Sequence, residues 1–537
     1  MFGAAMMALP TMAQETYQMA QLETQDLNGT ARYVGMSGAM NALGADISTI
    51  GSNPAGIGIF RHGQLTFSGG LLRQNGVEKV GKQHKMNPSF DQLGFVYSTK
   101  PNYSGTRVSF AFNYHKSRNF SQILSAAAGL NRASQNKLTS MKFNSGVIGS
   151  YNKEGNNGAG SFNEYEYAIT SVDRAYIDEL LKSDTDNGVD WYDANQYAWW
   201  QENHGFISNF DFNISASFND RVFLGATIGV KDVHYHTDMR YMEAMDFSPN
   251  DANPLGSIFQ EEVEKITGTG VDFSLGAIFL PIEGSPFRIG AWLKSPTFYD
   301  LDNRVDMEMK GAPYINSAAS VYNGFMSHRF SDYNFKFNTP WKFGLAMGST
   351  IGNQFAFDVE YEFADYNSTD ARQDNNDYYD YYYGDVYSTT SSDKEMNRSV
   401  KQALKGVSTF RVGFEYKPVP ELAFRMGYNY VSPMYDKYGF RDPTLQARGN
   451  NLSARTDFTN WRETNRVTAG LGYKFAKKWN LDLAYQFAST RGEFFPFATY
   501  TYHDRTDPNA ANYDNIGTSA RVKDIRSQFL MTLGYSF

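Results

Sequence analysis

The 537-residue chain contains no cysteine, which excludes a disulfide framework, thiol catalysis and a cysteine-ligated metal. It also lacks any run of about 18 apolar residues, so it encodes no transmembrane helix. Basic residues are in the minority: 49 Lys and Arg stand against 57 Asp and Glu, a formal charge of −8. With no basic patch or arginine-rich run there is no electrostatic footprint for nucleic acid as a partner. Gly-x-Ser-x-Gly elbows, phosphate loops and zinc-helix motifs are missing too. No enzymatic chemistry and no cofactor or metal is therefore implied.

What the chain has in excess is aromatic carbon. It carries 36 Tyr and 41 Phe, yet its mean hydropathy is −0.50. Both hold together when apolar residues are dispersed in alternation with polar ones. That is the pattern of membrane strands whose other face lines a wet lumen.

The alternation is explicit. Trp479, Leu481, Leu483, Tyr485 and Phe487 alternate with Lys478, Asn480, Asp482, Ala484 and Gln486. Phe355, Phe357, Val359, Tyr361 and Phe363 alternate with Asp358, Glu360 and Glu362. A helix, with its repeat of ~3.6, would mix these sets on one surface. Extended along the chain, the period of two predicts fourteen strands near 62–73, 89–100, 105–116, 206–218, 220–231, 269–282, 286–299, 340–351, 354–366, 407–417, 420–432, 464–476, 478–490 and 524–537. Connections alternate between short ones, such as Asn219-Asp220 and Gly352-Asn353, and long ones, such as 117–205, 232–268, 367–406 and 433–463. Short periplasmic turns and long outer loops distinguish an outer-membrane barrel from a soluble sandwich. The fold class expected is an all-β, transmembrane antiparallel barrel of about fourteen strands, with helical segments in its outer loops. Arg107, Asp211, Arg288, Lys294, Lys342, Glu360, Arg411, Arg425, Arg466 and Asp482 then face the lumen, because each would cost ~2–4 kcal/mol facing lipid near the midplane.

The two ends agree with export. Residues 1–13 read as the tail of a secretory signal peptide, apolar and ending in a small residue at Ala13, without a basic leader. The last strand closes on Phe537, the kind of terminus that barrel-assembly machinery recognises. Outer-membrane lipid and lipopolysaccharide are the expected surroundings.

Between leader and first strand, residues 14–61 break the rhythm, and 62–537 form the barrel. Gly29-Thr-Ala-Arg-Tyr-Val-Gly-Met-Ser-Gly-Ala-Met-Asn-Ala-Leu-Gly-Ala-Asp46 is rich in small residues and leads into Gly51-Ser-Asn-Pro-Ala-Gly-Ile57. Such a segment packs tightly in a confined space, and Asn-Pro favours a turn. It is a candidate lumen plug. The run Ala31-Arg32…Gly35-Met36-Ser37-Gly38-Ala39, with Asp46 and above all Asn53-Pro54-Ala55-Gly56, resembles the FadL family of outer-membrane transporters for long-chain fatty acids and other hydrophobic compounds. Phe287-Arg-Ile-Gly290 leading to Ser295-Pro296, Pro340-Trp-Lys-Phe-Gly344, and Leu422…Tyr428 leading to Ser432-Pro433 extend the resemblance. It implies a plugged fourteen-stranded barrel, with Asn53, Pro54, Ala55 and Gly56 as the hatch. It further implies a hydrophobic small-molecule substrate, captured at the outer loops and released sideways beside a kinked strand.

Two helical patterns are read in the loop 117–205: Ser121 to Ala128, and Val172 to Leu181 behind a capping box of Thr170 and Asp173. Ile123, Leu124, Tyr176, Ile177 and Leu180 are the candidate capture residues, and packing of these helices on each other is the plainer reading. A third helical pattern spans Ser257 to Ile266. Trp199, Trp200 and Phe206 read as an interfacial aromatic belt. The Tyr-rich acidic run Asp374 to Asp385 reads as a solvated outer loop. His234 and His236 share a strand face and motivate a haem-receptor reading, though the sequence identifies no further ligand. A structural or adhesive surface protein, or a general aqueous pore, would use the same wall.

Overall fold

The computed structural model describes every residue except 1–15, 78–84, 104, 153–160, 165–168, 180–182, 185–187, 190, 247–254, 313–325, 375–377, 381–384, 388, 446–453 and 503–512. The leader 1–13 and most of the acidic Tyr-rich run lie outside the described residues.

Among the described residues fourteen strands pair antiparallel in sequence order: β1 (Gln64–Asn75), β2 (Met86–Ser98), β3 (Thr106–Asn119), β4 (Asp193–Phe218), β5 (Val222–Asp246), β6 (Leu255–Phe279), β7 (Arg288–Lys294, resumed at Phe298–Ala312), β8 (Met326–Asn338, resumed at Lys342–Ile351), β9 (Phe355–Asp365), β10 (Gly406–Val419), β11 (Leu422–Val431), β12 (Phe458–Ala476), β13 (Trp479–Phe495) and β14 (Ala520–Ser536). β1 pairs with β14 from Gln64↔Ser536 to Asn75↔Ile525, which closes the wall and removes both sheet edges. The short connections are tight turns. At Asn219-Asp220 both residues take positive φ, 52° and 51°, the conformation that matches the twist of flanking strands.

The outward face carries the apolar residues: Phe67, Leu345, Met347, Val467 and Met531 are all exposed. Inside from outside is settled as the charges required. Arg107, Asp211, Lys294, Lys342, Glu360, Arg425, Arg466 and Asp482 are all buried towards the lumen. The apolar band ends close to one rung of the ladder. Val271 pairs with Val230 on one side and Phe298 on the other, and the next outward rung is Asp232, Thr269 and Asp300. Beyond it the outer face of β5 turns to Asp232, His234, His236, Asp238 and Arg240. This is a membrane-spanning barrel whose strands β4–β6, 25 or 26 residues long, stand far above the lipid.

Two of the three helical expectations are corrected. Ser121–Ala128 is not helical. Gln122–Gly129 is a strand that pairs with Gln196–Asn203 of β4. Ser257–Ile266 is likewise strand, the upper part of β6, hydrogen-bonded to β5 on one side and β7 on the other. In both, ladder partners supplied by the tertiary fold override local helix preference. The second pattern holds. Helix α4 (Ser171–Glu179) starts behind the expected capping box, with Asp173 N donating to Thr170 Oγ1 at 3.1 Å and Thr170 N donating to Asp173 Oδ2 at 2.9 Å.

Helix α3 (Gln135–Asn144), α4 and the raised strands enclose their own apolar core, built on Trp199, Tyr241, Phe494, Phe497 and Tyr176. Trp199 is thus an interior residue of this layer, 1 % exposed, and not part of a lipid belt. Its ring lies 5.1 Å from that of Phe494, tilted by 45°, with the Arg455 guanidinium 5.3 Å from its ring.

Candidate functional site

Residues 16–63 fill the lumen. Helix α1 (Thr16–Glu23) lies at the outer end under helix α5 (Lys394–Ala403). Tyr17 stacks on Tyr435 at 5.4 Å and donates to Asn460 Oδ1 at 2.9 Å, while Thr16 Oγ1 donates to Ser399 at 3.1 Å. The chain then descends through helix α2 (Ala31–Gly35), capped by Thr30, and through two 3₁₀ turns, Ile47–Gly51 and Pro54–Ile59.

The residues expected to form a hatch, Asn53 to Gly56, are all buried, and they sit at the periplasmic end. Asn53 caps the second 3₁₀ turn, its Oδ1 accepting Ala55 N at 3.2 Å, and its Nδ2 donates to Asn41 O at 2.8 Å and to Ala277 O of β6 at 3.3 Å. Pro54 O accepts Ser215 Oγ at 2.8 Å and Asn213 Nδ2 at 3.3 Å, both from β4. Ala55 packs on Phe223 and Ile278. Gly56 O accepts Ala45 N at 3.1 Å. Proline suits this position because it is the first residue of a helical turn and has no N–H to satisfy.

Why the plug fits is written in wall glycines. A Cβ on Gly276 would lie 2.0 Å from Asn53 Oδ1, and one on Gly225 would lie 2.5 Å from the backbone of Pro54. Gly290 meets Asn41 O and Gly413 meets Met36 O in the same way. Glycines inside β-strands mark close backbone approach. These four positions are the sequence signal for plug contact that strand periodicity alone passes over.

Carboxylates complete the attachment. Asp358 Oδ2 accepts Ala42 N and Leu43 N at 3.0 and 2.9 Å, and Glu360 accepts Asn41 N and Asn41 Nδ2 at 2.6 and 2.9 Å. On the opposite side Arg425 bridges Glu415 and Asp482 at 2.6 Å each, with Arg32 of α2 3.4 Å from Glu415.

Between α1 and the hatch lies a cavity of about 360 Å³. Rings line it (Tyr17, Tyr235, Trp292, Tyr366, Phe458, Trp461), and so do cations, among them Lys294, Lys342, Arg411 and Arg466. Most of these cations are engaged. Lys294 is 3.0 Å from Asp272, and Arg411 is 3.3 Å from Glu362. Lys342 is 9 % exposed, and its Nζ stands 5.7 Å from the Tyr366 ring centre. It makes no ion pair among the described residues.

The wall has a slot. β2 and β3 pair only from Ser98↔Ser109 to Gln92↔His115. Above that rung β2 stays on β1 as far as Met86↔Arg73. β3 instead bulges on β4 between Lys116 and Arg118 and leans inward. Its continuation, Gln122–Gly129, reaches past β2: Gln74 of β1 exchanges hydrogen bonds with Ile123 N and O at 2.7 and 3.0 Å, and Gln122 donates to Asp524 of β14 at 3.0 Å.

The expected capture residues are dispersed over these features. Leu124 lines the cavity. Ile123 is buried beside it, and Tyr176 is fully buried in the core of the outer layer, with Ile177 packed against that core. Leu180 lies outside the described residues. His236 faces His204 across the strands and sits 3.3 Å from Asp238, while His234 sits 2.9 Å from Asp232. Among the described residues no group of three or more His, Asp or Glu is placed to hold a metal.

No protein-family model matches the chain, and no curated protein matches it. Among solved structures it is similar to the CymD monoaromatic hydrocarbon channel, at 9% identity and a TM-score of 0.48, over 96% of this chain and 99% of that one. The Ralstonia pickettii toluene transporter TbuX matches at 12% identity and a TM-score of 0.46, over 95% and 99%. A Pseudomonas aeruginosa FadL homologue matches at 12% identity and a TM-score of 0.43, over 98% and 100%. At these scores the likenesses add nothing to the fold already described.

Proposed function

We propose that this barrel lies in a bacterial outer membrane and admits a hydrophobic small molecule with an anionic end, of the fatty-acid kind, by passive diffusion. The observation that carries the reading is the chemistry of the lumen cavity. It combines aromatic rings with a buried ammonium, Lys342, that has no carboxylate within salt-bridge distance among the described residues and feels Glu362 and Glu23 only from further away. Its volume, about 360 Å³, falls in the range of small-molecule sites. A buried charge without a contact partner is costly to maintain, and a carboxylate headgroup in direct contact would offset that cost while its tail rests on the rings. The hatch at Asn53–Gly56 blocks the straight route to the periplasm. The slot between β2 and β3 offers the sideways route, which suits a solute that gains free energy by entering the apolar bilayer rather than water.

The test is entry of labelled oleate into cells with and without the gene, alongside a Lys342→Met variant. The expected result is gene-dependent uptake that the variant reduces for oleate and spares for the corresponding alcohol. Equal uptake with and without the gene rejects the reading. A surface-adhesion role is the second reading, favoured by the raised strands β4–β6 and their separately cored outer layer. Cell binding that is lost on removal of 133–190, with permeation intact, would select it.

A further inference from the structure

Lys342 has a counterpart elsewhere in the cavity. One rung of the wall carries Arg411, Asn429, Arg466, Ala488 and Arg526 side by side across β10–β14, and all five line the cavity. Two of the guanidiniums are matched, Arg411 to Glu362 at 3.3 Å and Arg526 to Asp524 at 2.9 Å. Arg466 is not. It is buried, and among the described residues it has no carboxylate within salt-bridge distance. It feels Asp26 only from further away, against the like charges of Arg118, Arg411 and Arg526. Its one hydrogen bond among the described residues runs from Nη1 to Asn429 Oδ1 at 2.9 Å. The Nε–Nη2 edge is left, and a guanidinium edge of this kind grips a carboxylate through two parallel bonds.

Between the two cations the wall is apolar. Lys342 of β8 pairs with Ala364 of β9, and Ala364 with Val407 of β10. Val431 follows on β11, two residues from Asn429, the partner of Arg466. Ala364, Val407 and Val431 line the cavity, and so do Met434 and Tyr435, which pack with them in one apolar cluster. Lys342 and Arg466 stand four strands apart, about 19 Å along the wall at ~4.8 Å per strand. The groups that act most strongly on each are different too: Glu362, Lys294, Glu23 and Asp272 around Lys342, and Asp26, Arg118, Arg411 and Arg526 around Arg466. One carboxylate cannot meet both.

We infer that the cavity takes a two-headed ligand, an apolar chain with a carboxylate at each end, one held by Lys342 and the other by Arg466. This deepens the function proposed above and rests on its cavity being the substrate's site. A monoacid seated on Lys342 covers the apolar strip but leaves Arg466 buried without a contact partner, which is unfavourable. A second carboxylate corrects that. The fold has already desolvated the guanidinium, so the arriving group loses its own water while the cation loses nothing further.

The experiment uses the full-length protein in detergent micelles and two matched pairs of acids, decanoate with decanedioate and palmitate with hexadecanedioate. Each is titrated by calorimetry into the wild type, Lys342→Met, Arg466→Met and Arg466→Gln. Micelles absorb the acids unequally, so each affinity is read as the ratio of wild type to variant for one ligand. Arg466→Gln keeps a donor for Asn429 and so separates loss of charge from local collapse. In at least one pair, both Arg466 variants are expected to weaken the diacid about tenfold more than its monoacid, the loss of one charged hydrogen-bonded contact. The monoacid keeps its head on Lys342. Equal weakening of monoacid and diacid in both pairs, or none, overturns the two-headed site. Palmitate binding that Lys342→Met abolishes still upholds the function it rests on. Absence of binding by all four acids to the wild type overturns both. Retention of the unheated, compact form on a denaturing gel confirms that each variant is folded.

Discussion

Replacing Asp358 by alanine tests how the plug is held. In the wild type one carboxylate oxygen accepts two plug amides, Ala42 N and Leu43 N, at 3.0 and 2.9 Å. Asp358 is fully buried, and its second oxygen has no hydrogen-bond partner. Leaving two buried N–H groups unpaired costs ~1–3 kcal/mol each, or about 2–6 kcal/mol against the closed plug. The substitution also gives something back. It removes a buried carboxylate two residues from Glu360 on the same face, and burying charge is itself unfavourable. The net effect therefore falls at the low end, about 2 kcal/mol, which is roughly a 30-fold rise in the population with this part of the plug detached. The assay is amide hydrogen exchange by mass spectrometry in detergent, comparing peptides that cover 40–45 with peptides from β9. Exchange at 40–45 should accelerate by that factor while the wall stays protected. If 40–45 exchanges as in the wild type, the carboxylate does not hold the plug. If β9 exchanges equally fast, the substitution has damaged the barrel rather than the attachment.

Gly225→Ala should push Pro54 away, because its Cβ would lie 2.5 Å from backbone that cannot rotate aside. Overpacking of this kind costs ~1–3 kcal/mol, and single-channel recording should show flickering conductance that the wild type lacks. In the outer layer, burial by itself would raise the Asp173 carboxyl. The Lys142 ammonium at 2.5 Å, with donors from Thr170 and Thr139, outweighs burial and holds it below the ordinary value. A depressed folded pKa stabilises above the unfolded value of ~3.9 and loses that contribution as pH falls through the folded value. Protease resistance of α3 and α4 should accordingly hold from neutral pH to about pH 4, weaken below it, and be weakened at all these pH values in Asp173→Asn. Phe537, whose backbone N donates to Gly63 O at 3.0 Å, should matter for assembly beyond that bond. Its deletion should lower the yield of folded barrel in the outer membrane, measured by immunoblot of unheated membranes.

The wall was legible because its rule is local. A side chain on a strand faces lipid or lumen according to parity alone, so Phe355 to Phe363 declared their face without reference to any neighbour, and the same parity placed Lys342, Glu360 and Arg425 inside. The plug was legible in composition, since only small residues and a turn-forming Asn-Pro pass so close to the wall. Three things depended on partners that are distant in the chain. Ile123 and Leu124 carry a helix-like, alanine-rich context, but Gln196–Asn203 and Gln74 draw them into a strand more than 70 residues from one partner and about 50 from the other. Trp199 looks interfacial until Phe494 and Tyr241 close over it. Nothing near Asn28 in sequence announces its partners, because Asp91, Lys116 and Gln528 meet its amide only after the barrel has closed around the plug. Periodicity is a property of a segment, whereas a gap in a wall and the group that fills it are properties of the closed surface.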